Sequence, residues 1–357
     1  MFSHNCSDPN LQNIPRAKGL REAKMVKDCF RAEDGKLLLQ ADYSQLELRV
    51  AAMLSGDERM IEIFKSGEDY HLRCAKLISQ TAWGVHPDNV LPGGEYRSKA
   101  KGFVFGLLYG MTDGGLARRM GCTKAEAARI RKAVLGSFPQ LAQWIRERLD
   151  EARKTGWTYT WWDGQKARQR TLWQVAQQGD DDDEGARITA ENSSFNTPCQ
   201  GTASDFCLAS VVSTVQWLLE DLLPAKLVIT VHDSIILEVE EDALAEVAYG
   251  LHGQMTQWNS NGVPLVVDME VGKSWGSLVD YRYHGVQQDG DFDKRYTERK
   301  FVDRGVEAVW VRKDKDANPW LHRYEFNPVQ VPEHDAVLWL KANASVDTIT
   351  RPWADAA

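Results

Sequence analysis

The run Leu37–Leu54, LLLQADYSQLELRVAAML, constrains this chain more than any other stretch. An apolar, strand-like segment ends in Asp42, and a helix with a polar start follows at once and carries Glu47. A buried strand can hold a carboxylate rigidly at its tip, in the space where a helix begins. That placement suits a divalent metal if a second carboxylate exists elsewhere. Taken singly, Asp42 also reads as a turn residue. Glu47 also reads as the last member of a Ser44-x-x-Glu47 capping box, with Ser44 starting the helix.

The length suggests two or three domains. No apolar run approaches the roughly 20 residues that span a bilayer, so no membrane association is expected. The start, MFSHNCSDPN, lacks the basic and apolar parts of a signal peptide. Six cysteines (Cys6, Cys29, Cys74, Cys122, Cys199, Cys207) are scattered without a CxxC pair. This pattern implies reduced thiols in a cytoplasmic setting and argues against a zinc site. The net charge of −8 by itself disfavours a nucleic-acid partner. The charge is uneven, however. From Arg97 to Lys132 there are nine basic residues against two acidic ones, Asp113 and Glu126.

Along the chain, residues 37–41 read as a strand, and a helix follows to about Leu54. Residues 58–155 read as mainly helical, interrupted by the Gly/Pro-rich Gly84–Gly94. Arg97–Met111 and Thr123–Thr155 are the longest helical patterns. Trp157–Trp162 followed by Asp163-Gly164 reads as a hairpin. GDDDDEG at Gly179–Gly185 reads as a solvated charge run. A helix is expected over Thr202–Leu219, then strands at Lys226–Val231 and Ile235–Val239 around a tight His232-Asp233-Ser234 turn. A helix at Asp242–Trp258 and a strand at Leu265–Val271 follow. Beyond about Leu278 the composition shifts to Tyr, Trp and charge.

Asp233 is the second carboxylate that the opening argument requires. Two aspartates from distant segments can bridge two Mg²⁺ ions for displacement at phosphorus. Arg97, Lys101, Phe105 and Tyr109 are four residues apart, and such steps drift only about 40° each around a helix. They share one broad face that begins with cations and ends with rings. That face could bind a triphosphate and stack a base, or could be an ordinary amphipathic face. NTPCQGTASD at Asn196–Asp205 supplies amides from Asn196 and Gln200, and also reads as a helix start with a proline. His71 in GEDYH is a lone histidine with either a structural or a binding role.

Five segments together resemble the polymerase region of family A DNA polymerases, the bacterial DNA polymerase I group. They are SDPNLQNIP (Ser7–Pro15), ADYSQLELR (Ala41–Arg49), RSKAKGFVFGLLYG (Arg97–Gly110), NTPCQGTASD and VHD (Val231–Asp233), in the family's order and spacing. The similarity covers about Ser7 to Leu278. It implies an α+β fold: a right-hand palm of antiparallel sheet with helices, plus helical fingers, with the thumb absent. The palm would be residues 1–59 and 201–278, the fingers 60–200, and 279–357 an extension of unknown role.

The implied activity is template-directed addition of dNTPs to a primer 3′-hydroxyl in DNA replication. Asp42 and Asp233 would be catalytic and would hold two Mg²⁺, with the Tyr43 carbonyl as a further ligand. Arg97, Lys101 and His71 would grip the triphosphate, and Phe105 would stack on the nucleotide. Tyr109 would close the site, Glu47 would reject ribonucleotides and Gln45 would support the pocket. Asn10, Gln12, Asn13, Asn196, Gln200 and His232 would touch primer–template DNA.

The sequence departs from the family in three places. Ser234 stands where most members have Glu, as in the related single-subunit RNA polymerases. Asn192 replaces a basic residue expected eight positions before Gln200. A Thr-Gly-Arg run expected before the first motif is missing. The absent thumb and 3′–5′ exonuclease imply a split polymerase whose other half is a separate polypeptide, an arrangement associated with phages; a truncated gene is the rival explanation. The rival functions are a single-subunit-type RNA polymerase and a non-catalytic DNA-binding remnant.

Overall fold

The structure is a computed structural model. It describes residues 21–176 and 184–281, together with the backbone of three later strands. In chain order the elements begin with α1 (Arg21–Asp28), β1 (Lys36–Tyr43), α2 (Leu46–Ser55), α3 (Glu58–Ser66), α4 (Tyr70–Trp83), α5 (Glu95–Leu108), α6 (Asp113–Met120), α7 (Lys124–Ser137) and α8 (Pro139–Thr155). They continue with β2 (Trp157–Trp162), β3 (Gln165–Thr171), α9 (Trp173–Ala176), α10 (Glu184–Glu220), β4 (Ala225–Val231), β5 (Ser234–Glu240), α11 (Leu244–Thr256), β6 (Val267–Gly272) and β7 (Val279–Asp280). The later strands are β8 (Lys300–Asp303), β9 (Val306–Arg312) and β10 (His322–Phe326), which form an antiparallel sheet in the order β10-β9-β8. No helix among the described residues is long and apolar enough to cross a membrane.

The chain divides into two compact units. The first contains Gln45–Phe206 and Trp258–Leu265; the second contains 21–44, Cys207–Gln257 and 266–281 with the later strands. Sequence reading places its first boundary at 59/60, whereas the units divide at 44/45. The reason is that α2 packs on α3 and α8.

The second unit is built on a sheet of order β4-β5-β1-β6-β7, with every neighbouring pair antiparallel. β1 is flanked by β5 and β6, which explains its dense apolar run. Its alternation serves two cores. Leu38 lies on one face in a cluster with Ile236 and Trp275, bordered by Phe30, Ala32, Ile229, Val231 and Leu278. Leu37, Leu39, Ala41 and Tyr43 point the other way and are all buried. α11 packs on β1, β5 and β6, and the Tyr43 hydroxyl donates to the Met255 carbonyl on α11. The Ser210 hydroxyl lies 2.7 Å from that of Tyr43. Each fully buried aliphatic side chain contributes about 1.5–3 kcal/mol.

The first unit is mainly helical, as its patterns predict. The expected single helical stretch Thr123–Thr155 is two helices, because Pro139 opens α8 at a position where its missing N–H costs nothing. Asp57 is fully buried and caps two helices. Oδ1 accepts from Met60 N at the start of α3, and Oδ2 accepts from the Gln140 and Leu141 amides of α8. The hairpin forms as expected, with Asp163 (φ 48°) and Gly164 (φ 76°) in its turn.

α10 differs most from expectation. Instead of beginning near Thr202 it runs for 37 residues, through Pro198. Its residues to Phe206 belong to the first unit and those from Cys207 to the second. A proline inside a helix cannot donate to the carbonyl four residues back, which here is Ser194. The Thr158 hydroxyl on β2 donates to that carbonyl at 2.8 Å. The hairpin also holds the neighbouring turns: Thr202 Oγ1 accepts from Trp161 N, Arg170 donates to Thr197 Oγ1, and Arg168 pairs with Asp205 at 2.6 Å. Most of GDDDDEG lies outside the described residues.

Thr158→Val is therefore expected to lower stability in urea unfolding by about 1 kcal/mol. In a Pro198→Ala background the new amide satisfies Ser194, and the same substitution should cost clearly less. Equal costs in both backgrounds would contradict the role given to the Thr158 hydroxyl.

Candidate active site

In the second unit, Asp42 is the penultimate residue of β1. Its register partners are Ser234 on β5 and Asp268 on β6. Val231 pairs with Ser234, leaving His232 and Asp233 as a two-residue turn, and His232 has φ 54°. The Tyr43 amide donates to the Asp233 carbonyl at 3.2 Å, which stitches this turn to the end of β1. Asp42 and Asp233 are thus brought together at one end of the sheet, both half-buried, with His232 exposed beside them. Ser234 is buried and spends its hydroxyl on the Val231 carbonyl at 2.8 Å, closing the hairpin.

These residues fit a divalent ion of a particular kind. Two carboxylates and the Tyr43 carbonyl are hard oxygen donors. Among the described residues no group of three or more His, Cys, Asp or Glu is arranged to hold a metal. Mg²⁺ characteristically takes one or two carboxylates and draws its remaining ligands from water and substrate phosphates. A two-carboxylate site suits a metal that shares its coordination with a phosphorylated substrate.

In the first unit, the α4–α5 pair gathers most of the other expected residues. Asp69 caps α4 by accepting from Leu72 N at 2.9 Å. Its other oxygen, Oδ2, lies 2.8 Å from Arg97 Nε and 2.6 Å from Nη2. His71 is buried, and its ring centroid is 5.5 Å from that of Phe105. Phe105 stacks on Tyr109 at 6.3 Å. Burial, then the Lys101 charge, and further the Arg97 charge, lower the His71 pKa to about 4 against the opposing pull of Asp69. His71 is therefore a neutral hydrogen-bonding group at pH 7, not a third cation.

Tyr109 is the C-cap of α5, and its hydroxyl donates to Glu47 Oε2 at 2.7 Å. The expected Ser44 capping box is not formed. The Ser44 amide donates to the Val266 carbonyl, extending the sheet pairing past β1. α2 begins instead after Gln45, which adopts a left-handed conformation without a side-chain capping bond. Gly110, at φ 67°, faces Asn192 so closely that a Cβ would lie 2.4 Å from the Asn192 Cβ. Asn196 and Gln200 lie one turn apart on α10. Burial, and secondarily the Glu47 charge, raise the pKa of Cys199 between them, so this stretch lies within reach of Glu47.

Nine buried side-chain polar atoms among the described residues have no hydrogen-bond partner; Gln45 Oε1, His71 Nδ1 and Asn196 Oδ1 fall on expected site positions and the other six do not. Such orphans are uncommon in folded proteins, and a bound ligand is one way to supply the missing bond. Asn10, Gln12 and Asn13 lie outside the described residues. Sequence reading missed Asp69 and Arg49. Asp69 had a legible signal, an acid just before a helical pattern. Arg49 is buried, donates to the Pro264 carbonyl and covers the Phe64 ring at 4.5 Å, contacts that no spacing announces.

An NMR titration of the His71 ring is expected to give a midpoint of about 4. Lys101→Met should move it upward. As the pH falls from the ordinary 6.5 towards 4, the unfolded chain binds a proton that folded His71 does not. Stability therefore drops across that window, and His71→Gln should remove this part of the slope. A midpoint near the ordinary value would contradict the burial and charge arrangement.

Comparison with known proteins identifies the family. Residues 4–277 match the model of DNA polymerase family A. The chain is 37% identical over 269 residues to the thermostable DNA polymerase I of Thermus filiformis, covering 75% of this chain and 30% of that protein. It is 34% identical over 270 residues to DNA polymerase I of Pseudomonas aeruginosa, covering 75% and 28%. It therefore spans under a third of the length of these relatives. A solved structure, the POL domain of Pol1 from M. smegmatis in complex with DNA primer-template and dNTP, matches with a TM-score of 0.66 and 31% identity, covering 75% of this chain and 45% of that one. Helices with an antiparallel sheet, in the arrangement of that POL domain, make this an α+β polymerase fold. The chain belongs to DNA polymerase family A.

Proposed function

We propose that this chain carries out template-directed DNA synthesis, joining a dNTP to a primer 3′-hydroxyl with release of pyrophosphate. The observation that carries the reading is the stitch between Tyr43 and Asp233, which sets two aspartates from distant segments at one sheet end. We assign the palm to the sheet with Asp42 and Asp233, and the fingers to the helices around α4 and α5. Primer–template DNA and dNTPs are the partners, as in the complex formed by the M. smegmatis relative. A cytoplasmic role in replication completes the proposal, supported by cysteines scattered without a CxxC pair.

Asp42, Asp233 and the Tyr43 carbonyl would hold Mg²⁺, two ions in this reading. Held there, such ions would supply a lowered pKa at the primer hydroxyl and would offset charge on the leaving pyrophosphate. Arg97 and Lys101 take up the negative charge of the triphosphate. His71, being neutral, hydrogen-bonds a phosphate oxygen or its ester without adding charge. Phe105 offers a ring face to the base and sugar, continued by Tyr109. The bond from Tyr109 fixes the Glu47 carboxylate, which then crowds the sugar 2′ position. Gln45 supports this pocket, and Asn196, Gln200 and His232 contact primer or template. The unpartnered oxygens of Gln45 and Asn196 support those assignments.

Single-turnover incorporation with saturating primer–template and Mg²⁺ tests the reading. Asp42→Ala and Asp233→Ala should each slow dNTP incorporation at least about a hundredfold, corresponding to a few kcal/mol of lost transition-state stabilisation. Glu47→Ala should raise use of NTPs relative to dNTPs. Ser234 gives an RNA polymerase reading its one specific support, and preferential NTP use by the unaltered chain would favour it. Incorporation unchanged in Asp42→Ala would contradict the assigned chemistry.

A further inference from the structure

The carboxylate of Asp69 performs two tasks with its two oxygens. Oδ1 caps α4, and Oδ2 receives Arg97 Nε and lies beside Nη2. An arginine carries five N–H donors in a planar fork. The contact with Asp69 uses the Nε edge, leaving the Nη1 donors without a protein partner among the described residues. The α5 face also places Lys101 one turn beyond Arg97, and both charges are felt at His71. Two cations at this spacing repel each other, and each long side chain has many rotamers.

We infer that Asp69 is a positioning residue, holding the Arg97 guanidinium by one edge so that the other edge faces the phosphates of an incoming nucleotide. The inference rests on the nucleotide-binding reading of Arg97 and Lys101. A purely stabilising ion pair is the weaker explanation. The side chains of Arg97 and Asp69 are 28% and 38% exposed, and exposed pairs contribute little to stability. Asp69 is suited to the role. Partial burial opposes its charge, but the hydrogen bonds from Arg97 and Leu72 prevail and keep the carboxyl below its ordinary pKa. An anchored guanidinium also loses less freedom on binding, which is how preorganisation raises affinity.

Calorimetric titration of the full chain with inorganic tripolyphosphate, beside thermal melting, tests this without DNA. Asn retains a capping oxygen, so Asp69→Asn should melt like the unaltered chain while binding tripolyphosphate about fivefold more weakly, the effect of roughly one lost hydrogen bond. Asp69→Ala should lose both the cap and the affinity. Absence of binding by the unaltered chain, or undiminished binding by Arg97→Ala, would overturn the underlying nucleotide reading. Weakened binding by Arg97→Ala with equal or tighter binding by Asp69→Asn would overturn the positioning role alone. Weakened binding that merely tracks a lowered melting temperature in Asp69→Asn would overturn it too.

Discussion

The register of β1 between β5 and β6 is the constraint on which the catalytic reading depends. Successive residues of a strand face opposite ways, so a slip of one position would exchange the sheet's two faces. Asp42 and Tyr43 show what that exchange would undo. Tyr43 is buried and tied through its hydroxyl to α11, while Asp42 occupies the opposite face beside Ser234 and Asp268. The Tyr43 amide meanwhile holds the carbonyl of Asp233. One tyrosine thus locks the strand on the helix side and brings the second aspartate alongside the first. The apolar density of LLLQADY is the cohesion that keeps this register.

The α4–α5 pair organises charge by similarly local means. Asp69 starts one helix and restrains a cation on the other. Burial first, and then the Lys101 and Arg97 charges, deny a proton to His71. Tyr109, at the end of α5, fixes Glu47 at the start of α2. Position, protonation and orientation of these side chains are therefore set before any ligand arrives. Such preorganisation would serve the proposed phosphoryl transfer, where catalysis is chiefly positioning and electrostatic stabilisation.

Much of this was legible in the sequence where local pattern and side-chain period agree. The β1 run, the helical faces, the Asp163-Gly164 hairpin and the His232-Asp233 turn follow from alternation, four-residue spacing and turn chemistry. The failures have a common cause in distant contacts. Ser44 looked like a helix cap, but its amide is engaged by Val266, more than two hundred residues away. Pro198 looked like a helix start, yet Thr158 from another element supplies the missing donor and α10 continues. Asp57 joins two helix starts 83 residues apart, which no local window contains. The family resemblance supplied expected site residues for a nucleic-acid partner that the net charge of −8 by itself disfavours.

Ser234 sharpens what the proposed metal site would ask of its two aspartates. With its hydroxyl used to close the hairpin, Ser234 supplies no carboxylate, and the proposed metals depend on Asp42 and Asp233 together with nucleotide phosphates. Electron paramagnetic resonance of Mn²⁺, a spin-active stand-in for Mg²⁺, measures that dependence directly. The account predicts that a dNTP increases Mn²⁺ binding to the unaltered chain, and that Asp42→Asn abolishes the increase beyond Mn²⁺ held by free nucleotide. Equal nucleotide-dependent Mn²⁺ binding by Asp42→Asn and the unaltered chain would contradict it.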